Sequence, residues 1–65
     1  MRNTVYKRYY ICNVFEKLED RTWRFIEQRR WDGKKRQEAI AYMKQKKQEG
    51  YEAQVWPRVE EVPAD

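Results

Sequence analysis

Histidine and serine are absent from these 65 residues, and cysteine occurs once, as Cys12. Without His the commonest general base is missing, and with it the Ser–His and Cys–His nucleophile pairs. One Cys and no His exclude zinc knuckles, thiolate clusters and an internal disulfide. The two threonines, Thr4 and Thr22, are the only aliphatic hydroxyls. This inventory points to a non-catalytic binding module with no cofactor, no metal and no small-molecule substrate.

Other scarcities bound the fold. Gly and Pro occur twice each, too rarely for a low-complexity linker. Leu, Ile, Val and Phe together supply 11 of the 65 residues, a share that signals disorder when net charge is high. Here the charges are mixed, 15 basic against 11 acidic, and the net is only +4. Ten aromatic residues (3 Trp, 5 Tyr, 2 Phe) replace the missing aliphatics, and each ring buries roughly 150–250 Å² when enclosed. One small folded domain with an aromatic-rich core is expected, at a size where a lone core is marginal. No apolar run is long enough for a signal peptide or a membrane span, and the mean hydropathy is −1.28. The expectation is a soluble cytoplasmic protein with a reduced thiol and no membrane partner.

Residues Val5 to Leu18 are rich in Tyr, Val, Ile and Phe without Gly or Pro, which predicts a long strand. Glu19-Asp20-Arg21 supplies the turn. Thr22 to Trp31 reads as the return strand, with Trp23, Phe25 and Trp31 on one parity and Arg24, Ile26, Gln28 and Arg30 on the other. Asp32 is placed to cap a helix running from Lys34 to Glu49, which Gly50 would end. Its apolar stripe is thin: Ala39, Ile40 and Met43, with Tyr42 on the flank. Tyr51 to Val59 alternates, with Tyr51, Ala53 and Val55 on one side, and is expected to stop as a strand at Pro57. The division is one domain over residues 1–58 and an acidic, frayed tail over 59–65.

The fold class predicted is therefore α+β: β-β-α-β, a three-stranded antiparallel sheet in the order 2-1-3 with one helix on one face. The first strand is central because both of its parities are apolar between Tyr9 and Phe15. A single helix covers a single face. The other face is either a binding surface or is covered by a second copy or a partner.

Two constellations could carry function. Arg29, Arg30, Lys34, Lys35 and Arg36 cluster where strand gives way to helix. Cations in a first helical turn oppose the dipole, by about 0.3–1 kcal/mol each at low salt, unless an anion is bound there. The plainer reading is a set of solvated side chains on a loop. The second constellation is the uncovered sheet face, expected to present Tyr6, Arg8, Tyr10 and Cys12, then Arg24, Ile26, Gln28 and Arg30, then Gln54, Trp56 and Arg58. Tyr6, Tyr10, Trp31 and Trp56 are the rings for stacking or for an interface, and Arg8, Arg24 and Arg58 the supporting cations.

Residues 1–58 hold all 15 cations and 8 of the carboxylates, a net +7, which suits a polyanion or an acidic protein surface. The leading expectation is a module for single-stranded or structured nucleic acid. Its alternative is a protein-interaction module, an adaptor or inhibitor of a larger enzyme in the size range of small phage or regulatory proteins. Trp, Tyr and Arg serve both purposes. A homodimer through the uncovered face is a third arrangement.

Overall fold

The computed structural model describes residues 4–63. Four elements follow one another: β1 (Thr4–Lys17), β2 (Trp23–Asp32), α1 (Arg36–Gln48) and β3 (Glu52–Pro63). The sheet order is β2-β1-β3 with both pairings antiparallel, and α1 lies across one face. The two-sided apolar pattern of β1 is thus the mark of the central strand.

Each connection has a local cause. In the hairpin, Arg21 N–H donates to the Leu18 carbonyl and Leu18 N–H to that of Thr22, with Arg21 in the left-handed region at φ 69°. This is a three-residue hairpin loop, Glu19–Arg21, closed by a left-handed residue. Asp20 secures it by accepting from both the backbone N–H and the hydroxyl of Thr22, and these bonds lower its carboxyl pKa. At the other end of α1, Gly50 (φ 98°) donates to Lys47 and Tyr51 donates to Lys46, both at 3.1 Å. That pair of bonds is the Schellman motif, which glycine permits without strain.

Three expectations about boundaries are corrected. Asp32 does not cap the helix: its carboxylate accepts from Lys34 N–H, holding the turn before α1, and the N-cap position is Lys35, which makes no side-chain capping bond. β3 does not stop at Pro57 but continues to Pro63. It is an edge strand, where a residue lacking an N–H is tolerated. Residues 59–63 are consequently strand rather than frayed tail, and only 64–65 of that segment lie outside the described residues.

The core is small. Cys12, Val14 and Ala53 form its fully buried centre, with Trp31, Tyr42, Met43, Tyr51 and Val55 packed around them. Ala39 of α1 is also fully buried, and its short side chain suits close approach of the helix to the sheet. The Cα radius of gyration is 15.2 Å, against about 11 Å for a typical domain of this length. Accessible surface is 5652 Å², where a monomer of this mass averages about 4500 Å². The excess comes from shape. β2 stops pairing at Tyr9, so Thr4–Arg8 and Val59–Pro63 extend beyond it as a two-stranded ribbon in a molecule 54 Å long and 12 Å thin.

Candidate interaction surface

Cross-strand partners point to the same side of a sheet, so the pairing register assigns the faces. Cys12 and Val14 lie under α1 and pair with Arg29 and Glu27 of β2 and with Val55 and Ala53 of β3. The opposite, uncovered face presents Tyr9, Ile11, Asn13 and Phe15 from β1. Beside them stand Arg30 and Gln28 of β2 and Gln54, Trp56 and Arg58 of β3.

The expected assignment for β1 is thus reversed. Tyr10 and Cys12 are buried on the helix side, and Tyr6 and Arg8 share their parity. With both parities of Tyr9–Phe15 apolar, periodicity could not choose between faces. The helix chose the smaller residues, Cys12 and Val14, which let Ala39 approach closely.

A β-bulge corrects β2. Val14 pairs with Glu27 but Phe15 pairs with Phe25, leaving Ile26 as the extra residue. Beyond the bulge the parity inverts. Phe25 and Trp23 move to the open face, while Arg24 moves off it and forms an ion pair with Glu16 at 2.8 Å. Trp31, on the near side of the bulge, stays under the helix with its ring centroid 5.3 Å from that of Tyr42. Of the four rings expected on the surface, Trp56 alone belongs to the open face; Tyr6 is exposed on the protruding ribbon.

Sequence reasoning missed Tyr9, Phe15, Trp23 and Phe25 as members of this face. Phe15 and Phe25 meet edge to face at 5.7 Å. Phe25 is 55 % exposed, Trp23 51 % and Trp56 44 %. Phe15 and Trp23, with Glu52 and Gln54, line a hollow of about 340 Å³. The only advance signal was the run of aromatics at one parity in β2, and the bulge that exposes two of them left no mark in the composition.

The basic cluster is dispersed. Arg29 lies on the helix side with its guanidinium 4.7 Å from the Tyr42 ring centroid. Arg30 lies on the open side, 3.9 Å from the Tyr9 ring centroid and ion-paired to Glu60. Lys34 and Lys35 occupy the turn, and Arg36 opens the helix. The five cations therefore do not converge on one anion. On the open face, Lys7, Lys17, Arg30 and Arg58 stand among Asp32, Glu52 and Glu60, so charge there is nearly balanced.

Among the described residues no helix is long and apolar enough to cross a membrane. The chain matches no protein-family model, no curated protein and no solved structure. Function has to be read from the side chains themselves.

Proposed function

We propose that this chain is a small non-catalytic protein-interaction module that docks through its open sheet face. The observation that supports this most directly is the patch formed by Phe15, Trp23 and Phe25, which no other element of the fold covers, with Trp56 exposed farther along the same face beyond the Gln28–Asn13–Gln54 row. Rigid aromatic anchors within a neutral polar rim are the composition of interface hot spots, and the hollow beside Trp23 offers a socket for a partner's side chain. Nucleic acid is the weaker reading on these grounds. The cations expected to hold phosphates are split between two faces, and those of the open face are nearly balanced by carboxylates.

Affinity capture on the immobilised chain, after nuclease treatment and with high-salt washing, tests the reading. A partner retained under those conditions and lost with Trp23→Thr or Phe25→Thr is the expected result, because a desolvated aromatic interface is little screened by salt. A salt-sensitive quenching of tryptophan fluorescence by a mixed-sequence single strand, unchanged in the same variants, would reverse the choice in favour of nucleic acid.

A further inference from the structure

A second uncovered surface lies on the helix side. Between the first turns of α1 and the strands beside it runs a groove of about 900 Å³. Ile40 and Met43 of α1 line it together with Val55 and Val59 of β3, giving it an aliphatic floor. Two arginines that face this side border it, each from a different element: Arg8 of β1 and Arg36 of α1. Neither has an ion-pair partner among the described residues, whereas Arg24 and Arg30 are both paired. In sequence Arg36 belongs to the cationic run 29–36 and Arg8 to the first strand; the fold brings them to one groove.

The lining restricts the occupant. A nucleic acid would bring charge but would find no open ring to stack on, since Tyr10, the groove's only aromatic residue, is buried. A second copy of this chain would bring a net +4 against two unpaired cations. Aliphatic floor and cationic border are together complementary to a peptide with apolar side chains on one face and carboxylates flanking them. We infer that the groove receives an acidic amphipathic helix of a partner protein. Its aliphatic side chains would rest on Ile40, Met43, Val55 and Val59 while its carboxylates meet Arg8 and Arg36. Met43 is suited to such a floor because an unbranched thioether adapts to the side chain set against it. The site is separate from the open face and does not depend on the function proposed for that face.

Fluorescence anisotropy of a dye-labelled synthetic peptide with Leu and Glu at amphipathic helical spacing, titrated with the full chain, tests this. Saturable binding is expected, weakened about fivefold by each of Arg8→Gln and Arg36→Gln, as for loss of one exposed ion pair. Val59→Gln, which alters the floor at an exposed position and removes no charge, should weaken it as well. Circular dichroism establishes that each variant is folded, and Arg8→Thr or Arg36→Ala substitutes for any that is not. Trp56→Ala, on the opposite face, should leave the affinity unchanged. The inference is overturned by absence of binding, or by equal affinity for poly-glutamate or a single-stranded oligonucleotide, because charge alone would then be the attraction. It is equally overturned if Trp56→Ala abolishes binding while Arg8→Gln and Arg36→Gln do not.

Discussion

Gly33 lies against the backbone of Arg8: a β-carbon at Gly33 would sit 2.4 Å from the Arg8 carbonyl oxygen and 3.0 Å from the carbonyl carbon. The obstacle is main chain, so no rotamer change removes it. This contact fixes where β2 leaves the sheet and where Arg8 stands at the start of the ribbon. Gly33→Ala should therefore cost about 1–3 kcal/mol, the range for forced overpacking, in urea denaturation. A loss of only a few tenths would mean that the segment slides aside freely.

Tyr42 holds the helix to β2 by two separable means. Its hydroxyl donates to the Glu27 carboxylate, and its ring packs on Trp31 with the Arg29 guanidinium over it. Tyr42→Phe removes only the donor and is expected to cost about 1 kcal/mol. Tyr42→Ala removes the ring from a small core and should cost about 3 kcal/mol. Equal losses in equilibrium unfolding would refute the packing role.

How much of this was legible beforehand follows from what each residue type can signal. Strand order 2-1-3 could be read because apolar residues on both parities of Tyr9–Phe15 demand a strand with neighbours on both sides. The end of the helix was legible because Gly50 occupies a backbone conformation other residues avoid. The faces of β1 were not legible for the very reason that identified it as central. The bulge at Ile26 was not legible because a bulge without glycine leaves no compositional trace, yet it moves Trp23 and Phe25 to the open side. The cationic run 29–36 is one cluster in sequence but not in space. Strand alternation sends Arg29 and Arg30 to opposite faces.

Cys12 is fully buried in the central strand, and its thiol pKa is raised above the ordinary 9.0, chiefly by desolvation and then by the nearby Glu27 carboxylate. The folded thiol should stay unreactive toward alkylating agents at neutral pH until the protein unfolds. The pH dependence has a definite sign. Well below pH 9 both states carry the neutral thiol and Cys12 contributes no slope. Above it the unfolded chain ionises first, binds fewer protons than the folded one, and stability falls as pH rises. Cys12→Ala should remove that alkaline slope, which denaturation at a series of pH values will measure.

Arg21 adopts φ 69° in the hairpin turn, a conformation that costs an ordinary L-residue roughly 1–2 kcal/mol and asparagine less. Its side chain makes no ion pair among the described residues. Arg21→Asn is therefore expected to stabilise the protein by something under about 1 kcal/mol, read as a higher melting temperature. A lower one would mean that the arginine contributes a contact outweighing its strain.

Trp23 and Trp56 separate binding from folding on the open face. Trp23 is half exposed near the end of the hairpin, so Trp23→Thr, which keeps a strand-forming residue, should change stability by no more than about 0.5 kcal/mol. Trp56 is exposed to a similar degree, but it sits directly opposite Ile11, which is only 8 % exposed although it lies on the uncovered face. Trp56→Ala strips cover from Ile11 and should cost more, about 1 kcal/mol or above. If both rings serve a partner, each replacement should weaken capture of that partner, and Trp23→Thr should do so in a protein whose unfolding curve is essentially unchanged. Weakened capture that merely followed the loss of stability from one variant to the other would show that these rings act through the fold rather than at an interface.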